Sequence, residues 1–291
     1  MKIAITGATG QLGQLVIQAL LKRVPADKII ALIRNKNKAA DLAAQGIELR
    51  HFDYDAPETL VSALEGIDKL LLISANEIGR RLPQHQAVIQ AAQTARVPYI
   101  AYTSLLRADT NPLGLAQEHR DTEALIQASG LNYTLLRNNW YSENYLAGLE
   151  QYIASGKLLS AAKNGQISSA SRADYAEAAA AVLTSAGHEQ KIYELAGSES
   201  FSKADLAAFI TQVSGQPVEY LEIGGAALAQ GLTAAGLPEG LVNLITEADI
   251  ETANGVMFSD SKDLEQLIGH KTISIQSQIK SLVHSANIAS L

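Results

Sequence analysis

The segment Gly7-Ala8-Thr9-Gly10-Gln11-Leu12-Gly13 follows directly on the apolar run Ile3-Ala4-Ile5-Thr6. It opens a stretch in which Leu12, Val16 and Leu20 recur at helical spacing, with Ile17 and Leu21 beside them. Strand, glycine turn and helix in that order begin a nucleotide-binding βαβ unit. Gly7 lets the chain turn sharply off the strand. Gly10 has no Cβ, so a pyrophosphate can approach the backbone. Gly13 lets the helix pack close to the first strands. Amides at the helix N-terminus point at the phosphates, and the helix dipole favours their charge. The spacing is G-x-x-G-x-x-G rather than G-x-G-x-x-G, so the turn alone also fits an ordinary βα connection.

The rest of the chain carries the same rhythm. Strands are expected over residues 28–34, 47–52, 69–74, 99–103 and 132–136, and helices over 39–44, 57–64, 84–95 and 115–129. The strands are apolar runs bounded by turn residues, and the helices have apolar residues at helical spacing. Such alternation predicts an α/β fold with a Rossmann-type, doubly wound parallel sheet. After Asn138 the pattern changes. Helices are expected over 143–153 and 172–183, short strands and glycine turns over 156–171, and a strand over 191–195. The stretch from Ser202 onward is helical except for a strand over 218–223. We read residues 1–155 as a dinucleotide-binding domain and 156–291 as a smaller, mostly helical lobe that covers the substrate cleft. Some elements of the lobe look like continuations of the large sheet.

Composition narrows the function classes. The chain has 291 residues, 47% of them apolar, enough for a sizeable core. Its net charge of −7, with both signs interspersed, argues against nucleic acid as the main partner. It has no cysteine, which excludes disulfides, thiolate metal sites and cysteine nucleophiles. The six histidines are scattered, so no metal site is expected. No apolar run reaches the ~18 residues of a membrane span. A signal sequence is not expected, and the chain reads as cytoplasmic. The sequence does not fix the oligomeric state; a homodimer is one expected assembly.

Ligands of open α/β sheets bind beyond the carboxyl ends of the strands. The second strand ends Arg34-Asn35-Lys36-Asn37-Lys38, without the acid that bonds the ribose hydroxyls of NAD. Arg34 can pair with a 2′-phosphate, assisted by Asn35 or Lys38, which points to NADP; a solvated cationic loop is the other reading. Asp53 and Tyr54 either reach the adenine or form an Asx turn. Ser74, Ala75 and Asn76, the Tyr102-Thr103-Ser104 strand end, and Asn138 to Ser142 should surround one crevice. Trp140 and Tyr141 offer flat faces to a planar ring, or serve as lids over the core.

Taken together, several segments resemble the NmrA-like branch of the short-chain dehydrogenase superfamily. They are Thr6 to Gly13, Leu32-Ile33-Arg34-Asn35, Ala101-Tyr102-Thr103-Ser104, Tyr133 to Asn138, Arg137 to Tyr145 and Asp260 to Gly269. The likeness covers nearly the whole chain and is greatest to bacterial NADPH-dependent quinone oxidoreductases, with triphenylmethane reductase a near relative. It implies that Gly7, Ala8, Thr9, Gly10, Gln11, Leu12, Arg34, Ser74, Ala75, Asn76, Asn138, Asn139, Trp140, Tyr141, Ser142 and Arg172 contact NADPH. Ordinary members of the superfamily carry a Tyr-x-x-x-Lys pair on the helix after the fifth strand. Here the nearest equivalent is His119-x-x-x-Glu123. His119 is either an acid or, as we expect, a histidine on the helix surface. The remaining expectation is flavin-free hydride transfer from NADPH to a quinone or similar flat conjugated acceptor. Tyr102, Tyr141 and Asn144 are the candidate donors to its oxygen. The alternative is an NmrA-type sensor that binds NADP(H) without turnover.

Overall fold

In the computed structural model, which describes residues 1–77 and 79–289, the first half of the chain alternates strand and helix. It runs β1 (Ile3–Ile5), α1 (Gln11–Leu21), β2 (Ile29–Ile33), α2 (Ala40–Ala44), β3 (Glu48–His51) and α3 (Glu58–Ala63). It continues with β4 (Lys69–Leu72), α4 (Arg81–Thr94), β5 (Tyr99–Leu105), α5 (Gly114–Ala128) and β6 (Asn132–Asn138). The second half has α6 (Ser142–Leu146), α7 (Leu149–Ser155), β7 (Lys157–Ser160), α8 (Arg172–Thr184), β8 (Lys191–Leu195) and α9 (Lys203–Ser214). It ends with β9 (Glu219–Glu222), α10 (Gly225–Ala234), α11 (Glu239–Ala253), α12 (Asp263–Ile268) and α13 (Ile275–Ala289).

Seven strands form one parallel sheet in the order β3-β2-β1-β4-β5-β6-β8. The order reverses between β1 and β4, and the crossovers that follow these strands leave on opposite faces. That opens a crevice beyond their carboxyl ends. Ile3, Ile5, Ala31 and Leu71 face one layer, made by α1, α8 and α12. Ala4, Ile30, Leu70 and Tyr102 face the other, made by α3, α4 and α5. Because both faces are covered, the central strands read as continuous apolar runs. A third core, built around Leu158, Phe201, Leu206, Ile210 and Ile279, holds the C-terminal lobe, with β7 and β9 paired in parallel inside it.

The chain crosses between sheet and lobe more than once. After β7 it returns to lay α8 against α1 and to pair β8 with β6, and α12 returns again to pack on α8 and β8. Two helices differ from expectation. α4 begins at Arg81, three residues before the expected start, with Pro83 in its first turn. Helix N–H groups there have no intrahelical acceptor, so a proline costs nothing. The single helix expected over 143–153 is two helices. They break at Gly148, where a Cβ would lie 2.8 Å from the Tyr152 ring.

Candidate functional site

The cradle is built by the first turn. Gly7 has φ +59, in the left-handed region, and its carbonyl accepts from Gly10 N at 2.8 Å. A Cβ on Gly13 would lie 2.2 Å from the Gly7 oxygen, so helix and turn touch backbone to backbone. Gly10 is the extended N-cap of α1, and among the described residues no side chain caps this helix. The first amides of α1 are therefore left for a ligand, in a place where the dipole favours an anion. Ala8 is fully buried and packs into the core below the turn.

A cleft of about 680 Å³ runs from this turn across the strand ends. Gly7, Thr9, Gly10, Gln11 and Leu12 line it at the turn, and Arg34 lines it at the end of β2. Phe52, Asp53 and Tyr54 close the side toward β3. Asp53 also accepts from Asp55 N at 3.1 Å, so the Asx turn and the place beside the cleft coexist. Asn35 accepts from Asn37 N and caps its own turn. Ser74, Ala75 and Asn76 line the middle, and Tyr141 and Arg172 also reach the wall. An uncapped helix N-terminus, a glycine cradle and a long groove with an arginine at its mouth fit a dinucleotide.

The loop after β4 is fixed with unusual completeness. Three successive amides are each taken by a side chain from a different element. Ile73 N donates to Thr6 Oγ1 (2.9 Å), Ser74 N to Thr103 Oγ1 (2.9 Å) and Ala75 N to His85 Nε2 (3.0 Å). The Ala75 carbonyl accepts from Arg81 Nε at 2.7 Å, and Arg81 is paired with Glu118 on α5. Since His85 Nε2 accepts, its proton is on Nδ1 and points to Thr122 Oγ1, 3.0 Å away. Thr122 in turn donates to the Glu118 carbonyl. Burial, reinforced by the Arg81 charge, pushes the His85 pKa down to about 3, so the ring is a neutral strut.

At the other end, Arg172 is the first residue of α8, a helix closed by a Ser171–Asp174 capping box. Its guanidinium stacks on Tyr141 at 4.6 Å from the ring centroid and donates to Asn144 Oδ1 at 2.9 Å. Burial raises the Tyr141 pKa, so its hydroxyl keeps its proton. Asn144 is exposed and acts on the rim through Arg172.

The remaining expected residues are placed elsewhere. Asn138, Asn139 and Ser142 are buried. Asn139 donates to the carbonyls of Ser168 and Met257, and Ser142 bonds Ser169; both pin the segment that presents Tyr141. The Asn138 amide oxygen is buried without a partner among the described residues. Trp140 packs against the lobe core, which is the lid reading.

Tyr102 requires a correction. It is fully buried on the α4–α5 side of the sheet, and its hydroxyl lies 2.8 Å from His119 Nδ1. A donor to a bound acceptor needs access that this position lacks. His119 is likewise not on the helix surface: it is 4% exposed, and burial holds its pKa well below the usual value. Glu123, where the usual lysine would stand, makes a buried two-pronged pair with Arg137 (3.0 and 2.7 Å) and accepts from Ser104. Both members of the departed motif are thus committed to the framework.

Glu77, Arg81 and Gln84 line the cleft and escaped the sequence reading. Gln84 is 5% exposed, and its amide oxygen has no partner among the described residues. Arg81 and His85 stand one turn apart at the start of α4, which was the available signal. Pro83 between them masks that spacing.

The model of a family described as NAD(P)H-binding matches residues 7–186. The chain is 52% identical to Quinone oxidoreductase 2 of Escherichia coli over 98% of its length and all of that protein. It superposes on the solved NADPH complex of that NADPH-dependent quinone oxidoreductase with a TM-score of 0.95, covering 96% of this chain and 99% of that one. The NADP(H) complex of Citrobacter sp. triphenylmethane reductase gives a TM-score of 0.94 at 39% identity, with 96% and 99% covered. An NmrA-like family domain-containing oxidoreductase of Aspergillus flavus is 30% identical, with 75% of this chain and 73% of that one covered.

Proposed function

The chain belongs to the NAD(P)H-binding family, in its NmrA-like branch, and from that membership we propose that it is an NADPH-dependent quinone oxidoreductase. The observation that carries the reading is the continuous cleft from the uncapped α1 N-terminus past Arg34 to Tyr141 and Arg172. NADPH, when bound, supplies the hydride. The α1 amides hold the pyrophosphate, Arg34 the 2′-phosphate, and Asp53 and Tyr54 the adenine end. The clamped residues Ser74 to Asn76 and the Tyr141–Arg172 stack orient the reactive half and exclude water from it.

Tyr141 is the donor we assign to the acceptor oxygen, and Asn144 positions Arg172. A quinone is already a good acceptor, and its developing oxyanion needs a hydrogen-bond donor or solvent proton rather than a tuned acid. This is compatible with an α5 that offers neither His119 nor Glu123 to the cleft. Among the described residues no helix is long and apolar enough to cross a membrane. A cytoplasmic location is part of the reading, supported by a chain without cysteine.

The commitment of His119 and Glu123 to buried bonds also favours a second reading, a sensor that binds the dinucleotide without consuming it. Turnover separates the two. Purified protein with NADPH and simple benzoquinones should oxidise NADPH well above background. Tight binding of both cofactor forms with no consumption in a panel of quinones, triarylmethane dyes and enones would overturn the enzyme in favour of the sensor.

A further inference from the structure

The C-terminal lobe contains a second cavity of about 430 Å³, walled by α7, β7, α10 and α11, that shares no lining residue with the dinucleotide cleft. Its volume is in the range of small-molecule sites. Leu159, Ile223, Leu228, Leu232 and Ile245 make most of its wall apolar. One end is charged. Lys203 Nζ and Asp249 Oδ1 form an ion pair at 3.1 Å, with side chains only 12% and 7% exposed.

The bonding at that end is one-sided. Asp249 Oδ2 already accepts from Ser160 Oγ (2.7 Å) and Ala161 N (2.6 Å), so both carboxylate oxygens are engaged. Lys203 has three N–H groups. Asp249 takes one, and the Tyr145 ring, 4.9 Å from Nζ, faces the ammonium. At least one N–H is left to face the cavity, whose wall Lys203 lines. Lys157 at the edge brings a second positive charge, and Tyr152 a hydroxyl. Lys157 stands opposite Glu219 in the β7–β9 register, so the donor this end offers into the cavity is the Lys203 ammonium. A partly buried ammonium of this kind is stabilised by any acceptor that enters with an apolar body behind it.

We infer that this cavity is a second ligand site, for a small amphiphile with a compact apolar body and an anionic head such as a carboxylate or sulfonate. It is separate from the cofactor, so occupancy does not compete with the dinucleotide.

The probe is 8-anilinonaphthalene-1-sulfonate, followed by fluorescence with the cleft saturated with non-fluorescent NADP⁺, and then displaced with octanoate. Two changes test the placement. Gly231→Leu on α10 adds bulk where a Cβ meets no atom within 4 Å, and it removes a helix-interior glycine, so the fold is retained. The pair Lys203→Met with Asp249→Asn removes the ammonium while leaving an oxygen for Ser160 and Ala161. The expected result is saturable one-to-one binding, unaffected by NADP⁺, reversed by octanoate, and weakened roughly tenfold by each change. Emission that fails to saturate, that NADP⁺ displaces, or that both variants leave unaltered would overturn the site. A chain that binds this probe but not NADP⁺ would overturn the cofactor reading and leave this one standing.

Discussion

The Tyr102 hydroxyl lies 2.8 Å from His119 Nδ1, on the face of the sheet covered by α4 and α5. This bond commits His119, the nearest sequence equivalent of the proton-donating tyrosine of the wider superfamily, to a buried partner. Tyr102→Phe should therefore leave kcat within about threefold of the parent and cost about 1 kcal/mol of stability, as loss of a single buried hydrogen bond does. Tyr141→Phe should lower kcat at least ~10-fold, within the range of a lost proton donor, with KM for NADPH nearly unchanged. Steady-state kinetics on both variants decide the assignment; the reverse pattern would return the donor role to Tyr102.

Arg34 stands exposed at the mouth of the cleft, where β2 ends. Arg34→Ala should weaken NADPH by roughly 10- to 100-fold, the worth of a charge-assisted phosphate contact, and leave NADH almost unaffected. Fluorescence titration with both dinucleotides reads this directly. Equal losses would remove the phosphate role.

The two inner glycines should fail differently. A Cβ at position 13 would lie 2.2 Å from the Gly7 oxygen and 2.9 Å from the Ala8 Cα, both backbone atoms that cannot move aside. Gly13→Ala should destabilise the protein by about 3 kcal/mol or more. A Cβ at position 10 would be 3.1 Å from the same oxygen, a contact that a small shift relieves. Gly10→Ala should fold and bind NADPH more weakly. Thermal melts paired with cofactor titration distinguish loss of fold from loss of affinity.

Stability should depend on pH through the buried imidazoles. The folded-state pKa of His85 is about 3, and that of His119 is also lowered, against about 6.5 in an unfolded chain. Below that value the unfolded chain takes up protons that the native protein refuses, so stability present above pH ~6.5 is lost as pH falls toward 3. The slope should approach about 1.4 kcal/mol per pH unit for each histidine. Urea unfolding at about pH 7 and pH 5 measures it, and equal midpoints would contradict the burial of both rings.

Glu123→Lys would recreate the lysine of the usual motif, but would set it against Arg137, which is 8% exposed. Breaking a buried pair costs roughly 3–5 kcal/mol even without adding a like charge. The variant should be recovered unfolded or not at all, as judged by circular dichroism. A folded Glu123→Lys protein would show that the Arg137 network tolerates charge reversal.

Much of the fold follows from local pattern. Lys191–Leu195 is a strand with the expected bounds, and the βα rhythm is sufficient to predict a parallel sheet. The cofactor end is legible for the same reason: Gly7, Gly10 and Arg34 act where the chain itself places them, at strand ends. The place of Tyr102 is not legible, because β5 is buried on both faces, so alternation says that neighbours diverge but not which face meets the ligand. His119 and Glu123 look like the polar face of a surface helix until Tyr102 and Arg137, partners from two strands, are brought beneath them. The clamp on Ala75 depends on α4 starting at Arg81, and a proline in the first turn hides that start.

The return of β8 and α12 to the large sheet has a consequence for synthesis. When Asn138 leaves the ribosome, six strands of the sheet exist, but one edge and part of one face lack their cover. Val182, Leu183 and Leu195 come later, and Leu264 and Ile268 later still. At roughly 5–20 residues per second, the nascent sheet waits roughly 6 to 26 seconds for α12, the helix that completes it. Until β8 is made, the β6 edge is open to pairing with another chain. Chaperone dependence and aggregation yield should thus be set by the residues after Asn138 rather than by the nucleotide-binding half.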